Sequence, residues 1–477
     1  MKVKSIFLLV SALCFSITAI AQNEKKVKVF SSEKSSIKEM FVQKESVALV
    51  PDVETENLLI NVYPQMIYQE VLGFGGSFTE TSAYNFAQVS DDVKLKLAEA
   101  YFDKVKGIGI NFCRTHIHSS DFSLAQYNYT KEGDVELKTF TIEQDRKYII
   151  PMIKAAQKFT NDLLLFASPW SPPGWMKDSG KMIQGGKLLP EHYDTWARYM
   201  TRYFEEYKKE GIEFFGVTVQ NEAKAIQTWE SCVYSGTEEA VFAVKNLRPN
   251  LDKSGFKDVK IMIWDHNKER IFDRAIESFA VPGAKEAIWG VGFHWYSGEH
   301  FDALRMTHEM FPDKPLLLTE FCRGASAASA TPVPFASWDD VEAYANEIIG
   351  DFNNYMAASI DWNMVVDLEG GPYHDRTGGC KAQIVVNKEK NSFSLEPTFY
   401  AVGHFSKFVK RGAKRIGHSS YNDNLKVTSF QNPDGEVVVV VLNKGEQAMK
   451  PKLRIYDCTA QLDIPAKSLT TLIVPAK

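Results

Sequence analysis

Apolar positions along the chain fall into short continuous runs, separated by longer stretches in which they recur at helical spacing. Residues 214–219 and 315–318 are apolar or small at nearly every position. A strand without alternation is buried on both faces, as in a parallel sheet covered by helices. Each of these runs leads directly into a carboxylate. One reads Thr218-Val219-Gln220-Asn221-Glu222, the other Leu316-Leu317-Leu318-Thr319-Glu320. The C-terminal end of such a strand is the first place where a polar side chain reaches a ligand.

The same grammar recurs along the chain. Strands are expected at 71–77, 108–116, 163–170, 214–222, 260–265, 289–296, 316–320 and 358–363. Helical spacing fills 91–102, 144–159, 191–209, 238–247, 271–279, 301–310 and 341–357. In the third helix Tyr193, Trp196, Met200, Tyr203 and Tyr207 form one stripe, the mark of a helix packed on a partner surface. Eight strands alternating with helices predict an α/β fold, a closed (β/α)8 barrel over 69–410 with 398–409 as its last helix. An open doubly wound sheet is the alternative, and no dinucleotide fingerprint supports it. After Arg411 short strands at 425–430, 437–442, 452–456 and 469–474 are split by turns, so 411–477 reads as an antiparallel β-sandwich. Short strands at 47–50 and 58–62 assign 22–68 to the same side domain, which would bring both chain ends together. Residues 22–35, polar and rich in Lys and Ser, read as a loose start.

The first 21 residues have a basic start, an apolar middle and a small-residue end, the pattern of a cleaved secretory signal. The mature chain is therefore expected to be secreted or periplasmic. Cys14 is followed by Phe15 and more apolar residues, which does not favour a lipid anchor. No other run approaches the roughly 20 residues of a membrane span. The net charge is −5 with no basic block, which argues against a nucleic-acid partner. The five cysteines beyond the signal (Cys113, Cys232, Cys322, Cys380 and Cys458) are odd in number and widely spaced. They predict neither a disulfide framework nor a zinc site. Aromatic residues make up 12 % of the chain, and composition leaves open whether they pack a core or stack on sugars.

The strand ends collect the candidate chemistry. Gly73-Phe74-Gly75-Gly76-Ser77 lacks the Lys-Ser/Thr of a phosphate loop and reads as a strand end that must bend. Arg114, His116 and His118 end the second strand, with Asp121 beyond. A His-x-His pair can bind metal, but no third ligand is apparent, so no metal is expected. Arg114 among carboxylates would hold a nearby glutamate ionised. Trp170 and Trp175 sit in a proline-stiffened loop. Trp170 reads as a sugar-facing ring, while Trp175 divides evenly between that role and a structural corner. Asp265-His266-Asn267, His294-Trp295-Tyr296 and Asp361-Trp362-Asn363 complete the rim.

These residues, in this order, resemble glycoside hydrolase family 30, the glucosylceramidase-like and β-1,6-glucanase group of retaining glycosidases. The matching stretches are GFGGSFTE at 73–80, RTHIHSSDFS at 114–123, SPWSPPGWMK at 168–177, TVQNEA at 218–223, QTWESC at 227–232, FHWY at 293–296, LLTEFC at 317–322, DWN at 361–363 and GHFSKF at 403–408. The resemblance spans about residue 45 to the C-terminus and implies a (β/α)8 barrel with a β-sandwich built from both chain ends. It implies Glu222 as acid/base and Glu320 as nucleophile, with Arg114 beside the nucleophile. It places Asp121, Trp170, Asn221, His294, Tyr296 and Trp362 around the sugar before the scissile bond, with Asn221 on its 2-hydroxyl. The sequence departs from the family at Ala223, where many members have Pro, and in the loops at 371–374 and 380–383.

In a retaining glycosidase the two carboxyls stand about 5–5.5 Å apart. The second nearby anion is expected to raise the Glu222 pKa. The chemistry needs no cofactor. The expected substrate is a β-glucan or β-glucoside, cleaved by double displacement as an endo-β-1,6-glucanase or a glucosylceramidase-like β-glucosidase would. A β-xylanase of the same family and an inactive glycan-binding barrel are the alternatives. Oligomeric state is left open.

Overall fold

Eight parallel strands close into a barrel: β1 (Gly73–Phe78), β2 (Phe112–Ile117), β3 (Leu164–Pro169), β4 (Gly216–Thr218), β5 (Lys260–Asn267), β6 (Gly290–His294), β7 (Leu316–Glu320) and β8 (Met356–Asn363). This is a computed structural model, and it describes residues 25–54, 58–324, 336–374 and 380–477. The expected signal at 1–21 lies outside them. Every residue of β7 and β8 is buried. Alternate side chains serve two cores. Phe112, Phe166, Met262, Leu317, Ala358 and Ile360 fill the barrel interior, while Leu316 and Leu318 join the larger core that includes the helices. The doubled burial explains the unbroken apolar runs.

Gly75 shows why β1 is glycine-rich. A Cβ there would stand 1.8 Å from the Phe112 carbonyl oxygen on β2, and backbone cannot move aside as a side chain can. We expect Gly75→Ala to destabilise the fold by roughly 3 kcal/mol or more. Soluble yield and a thermal melt would show it, and an unchanged melt would contradict this packing.

The third-helix stripe lies on Tyr193–Lys209. Trp196, Met200, Tyr203 and Tyr207 are fully buried, as the periodicity predicts. Boundaries shift elsewhere. The segment 144–159 is two helices, Glu143–Lys147 and Ile149–Gln157. A helix at Glu80–Ala87, which the periodicity did not reveal, starts at Thr79, whose side chain accepts from the Ser82 N–H. The small sheet Val365–Asp367, Ile384–Asn387 and Ser392–Leu395 after β8 was likewise not foreseen.

The side domain contains strands from both chain ends. Lys26–Glu33 pairs antiparallel with Ser468–Val474, and Leu59–Glu70 with Lys414–Ser420. Residues 26–33 are therefore not a loose start: Val27 and Val29 alternate with exposed lysines and are buried. The polar composition hid a two-residue period. Val437–Asn443 shows the opposite pattern, being buried at every position. Val437, Val439 and Val441 pack within the side domain, and Val438, Val440 and Leu442 face the barrel's core. The last barrel helix, Pro397–Ser406, fastens the two units. Its buried His404 ring meets the Ser32 hydroxyl at 2.9 Å and the Thr471 hydroxyl at 2.8 Å.

Candidate active site

Arg114 leaves β2 into the barrel mouth and is fully buried. Its Nη1 donates to Glu320 Oε2 at 2.6 Å. Nη2 donates to Asn221 Oδ1 and to Asp265 Oδ2, each at 2.8 Å, and Nε to Ser168 Oγ at 3.1 Å. One guanidinium thus joins the ends of β3, β4, β5 and β7. Its carbon sits 4.8 Å over the Trp170 ring and 5.5 Å over the Trp362 ring. The two indoles stack on each other at 5.0 Å, and both are nearly inaccessible, at 2 % exposure. They form the wall that shields Arg114 from water, which strengthens its charge-assisted bonds. Trp175 is half-buried against His192.

Glu320 ends β7, with its second oxygen, Oε1, accepting from the Tyr296 hydroxyl at 2.9 Å. Glu222 follows β4 with φ of +48°, a left-handed conformation that is strained for a side chain of its size. Backbone bonds hold it there: its N–H donates to the Asp265 carbonyl at 2.8 Å, and its carbonyl accepts from the Ala225 N–H at 2.8 Å. These contacts, with Ala223 fully buried, fix the turn where many family members have proline. Glu222 Oε2 accepts from Gln227 at 3.3 Å, and Oε1 faces His294 Nδ1 at 3.4 Å and His266 Nδ1 at 3.6 Å.

Asp265 connects the two carboxylates; the sequence marked it as a rim residue but gave it no role. Trp264 and Asp265 both have positive φ, and the β5–β6 register shifts between Trp264 and His266. This bulge turns Asp265 into the mouth. Its Oδ2 takes bonds from Arg114, Ser168 and Thr218; its Oδ1 takes Thr319 at 2.6 Å and His294 Nε2 at 3.0 Å. Burial opposes its charge, but Arg114 and these donors outweigh that and hold the carboxyl well below the usual range. Ser168, Thr218 and Thr319 were the available signal: hydroxyls in otherwise apolar strands, all at the mouth.

The expectation for Glu222 is corrected here. Burial would raise its pKa, yet the His294 hydrogen bond and the charges of His266 and His294 prevail, and the carboxyl falls to about 2. Burial opposes protonation of His294, but Glu320, Asp265 and Glu222 together raise it to about 9. The second anion, Glu320, is already matched by Arg114, so its repulsion does not set the state of Glu222. The pair Glu222–His294 therefore holds one proton over a wide range, resting on the imidazole.

Asp121 lies half-buried after β2, near enough to His374 to contribute to that ring's raised pKa. His116 and His118 do not form a metal pair. His116 bonds the Glu80 N–H at 2.9 Å and the His118 carbonyl; His118 bonds the Tyr199 hydroxyl at 2.9 Å and the Ser171 carbonyl. All four ring nitrogens serve the scaffold, and burial lowers both imidazoles to about 4. Among the described residues one group, Glu222, His266 and His294, has ligand atoms within 4.8 Å of one another. It could hold a cation, though its members are already engaged in the network above.

Comparison with known proteins agrees with this architecture. A family model described as the glycosyl hydrolase family 30 TIM-barrel domain matches residues 71–409, and the family 30 beta sandwich domain matches 412–472. Lysosomal acid glucosylceramidase of Mus musculus is 32 % identical over 405 residues, covering 82 % of this chain and 78 % of that protein. Endo-1,6-beta-D-glucanase of Neurospora crassa is 26 % identical, covering 82 % of each. The crystal structure of SrfJ from Salmonella typhimurium superposes with a TM-score of 0.89 at 34 % identity, covering 95 % of this chain and all of that one.

Proposed function

This chain belongs to glycosyl hydrolase family 30 and is a glycoside hydrolase, and we propose that it cleaves β-glucosidic bonds with retention, Glu320 attacking and Glu222 serving as acid and then base. The observation that carries the assignment of roles is the Arg114–Asp265 network. It sets the Arg114 cation against Glu320, and sets against Glu222 the His294 imidazole, which Asp265 and the neighbouring carboxylates help keep protonated.

The steps follow from these contacts. Glu320 bonds to the anomeric carbon while Glu222 protonates the departing oxygen. That proton comes from the pair shared with His294, moved onto Glu222 as the substrate displaces water. Esterification removes the Glu320 charge, one of the anions that raise His294. Glu222, now a carboxylate facing two imidazoles, takes a proton from the water that attacks the ester carbon. The Asn221 oxygen is occupied by Arg114, which leaves the amide N–H to donate to the sugar 2-hydroxyl, a bond that strengthens in the transition state. Trp170 and Trp362 back this site, with Asp121 and Tyr296 at its edge. No step calls for a metal or cofactor.

The pH dependence follows by linkage. The stability from lowering Glu222 is present above its ordinary 4.5 and is lost as pH falls through about 2. That from raising His294 is present below its ordinary 6.5 and is lost as pH rises through about 9. We expect the melting temperature to fall between those two His294 values and kcat/KM to decline over the same alkaline limb. His294→Gln should flatten the melting curve's dependence in that window. An equal fall in both proteins would remove His294 from this role.

The amino-terminal pattern supports export, with signal removal after Ala21. A substrate panel of aryl β-glucoside, β-1,6-glucan, glucosylceramide and xylan tests the sugar. Glucose or gluco-oligosaccharides from the first three, with none released from xylan, is the expected result. Release from xylan alone would replace the reading with a xylanase, and binding without release would replace it with a glycan-binding barrel.

A further inference from the structure

Cys322 and Cys380 are 58 residues apart in the chain, yet their sulfurs stand 2.9 Å from each other. The approach is set by backbone. The Lys381 N–H donates to the Arg323 carbonyl at 2.7 Å, the Cys380 N–H to the Gly370 carbonyl at 3.0 Å, and Gly324 and Cys380 form an antiparallel bridge. The next residue of each strand is tied to the same carboxylate: Lys381 Nζ lies 2.7 Å and Arg323 Nε 3.6 Å from Asp340. Two thiols held this way need only a small closing movement to reach the bond length of about 2.05 Å.

We propose that Cys322 and Cys380 form an intramolecular disulfide that staples the loop after β7 to the loop after β8. This was not expected from the odd count and wide spacing of the cysteines, and the hydrolytic mechanism does not require it. Cys322 lines an open cavity of about 540 Å³ beside Tyr296 and Arg323, which admits a small disulfide such as oxidised glutathione. The Cys322 thiolate attacks that disulfide and releases one glutathione thiol. The Cys380 thiolate then attacks the mixed disulfide at Cys322 and releases the second. The protein gives up two protons and two electrons, and the oxidant becomes two thiols. The adjoining Cys380 thiol, then burial, holds the Cys322 thiol well above its ordinary value. Exchange is therefore slow, and the bond acts as a staple rather than a fast switch.

The staple lies against the site. Cys322 Sγ is 3.5 Å from the Tyr296 hydroxyl that bonds Glu320. Both cysteines pack with Trp170 and Trp362. Closing this rim fixes the wall behind the attacking carboxylate.

The test uses the full chain, refolded with oxidised glutathione, denatured without reductant, alkylated with N-ethylmaleimide and digested. The expected result is a linked peptide pair containing Cys322 and Cys380, with alkylation confined to Cys113, Cys232, Cys458 and, where the first 21 residues are retained, Cys14. The oxidised protein should melt higher than the dithiothreitol-reduced one, and Cys380→Ser should stop at a glutathione adduct on Cys322 and abolish that difference. Alkylation of both Cys322 and Cys380 after oxidation, or a persistent glutathione adduct in the unsubstituted chain, would overturn the proposal. Thiol mapping reads no activity, so its failure would leave the hydrolase reading untouched.

Discussion

Glu320→Gln is expected to lower kcat on an aryl β-glucoside by roughly 10⁴-fold or more while leaving the melting temperature near that of the unsubstituted protein. An amide nitrogen or oxygen in that position is too weak a nucleophile to displace the leaving group. The fold should survive because Arg114 keeps Asp265, Asn221 and Ser168 as partners. Initial rates with a thermal melt on the same preparation check both halves. A near-normal rate would remove Glu320 from the reaction, and a collapsed melt would mean that its loss had been misread as chemistry.

Asp265→Asn should have the next largest effect, although Asp265 need not touch the sugar. Five side chains donate to its two oxygens: Arg114, Ser168, Thr218, Thr319 and His294. Asparagine can accept at one oxygen only and turns a donor toward one of these groups. It also removes the buried anion shared by Arg114 and His294. Uncompensated buried charge costs about 3–5 kcal/mol, so a lower melt is expected. Weaker hold on both carboxylates should reduce kcat/KM by roughly 10²-fold or more. The distinguishing readout is pH. With Asp265 neutral, His294 loses one of the charges that raise it, so the alkaline limb should move to lower pH. Reduced stability with an unmoved limb would make Asp265 a structural residue alone.

Much of this arrangement was legible in sequence, for a physical reason. A strand buried on both faces cannot place a carboxylate until it ends, so Glu320 after Leu316-Leu317-Leu318, and Glu222 four residues past β4, announced the mouth. Arg114 was legible likewise, as a cation inside an apolar strand. Asp265 was legible as a rim residue but its central role was not, because that role depends on a bulge in which Trp264 and Asp265 take left-handed backbone, and alternation cannot foresee a bulge. The state of Glu222 was also hidden: its pKa is set by His266 and His294, which reach it from two other strands. The strand at Lys26–Glu33 escaped for a different reason, since its polar face dominated the composition. The family stretch GHFSKF serves packing, with His404 joining Ser32 to Thr471.

The central claim is that Glu320 becomes bonded to the sugar carbon during turnover. A 2-deoxy-2-fluoro-β-glucoside with a good leaving group slows hydrolysis of that ester enough to accumulate it. Mass mapping of protein treated in this way should show one fluoroglucosyl group on the peptide containing Glu320, lost again on prolonged incubation as activity returns. A label on any other residue, or an unlabelled protein that still releases the leaving group together with a sugar of inverted anomeric configuration, would contradict the account.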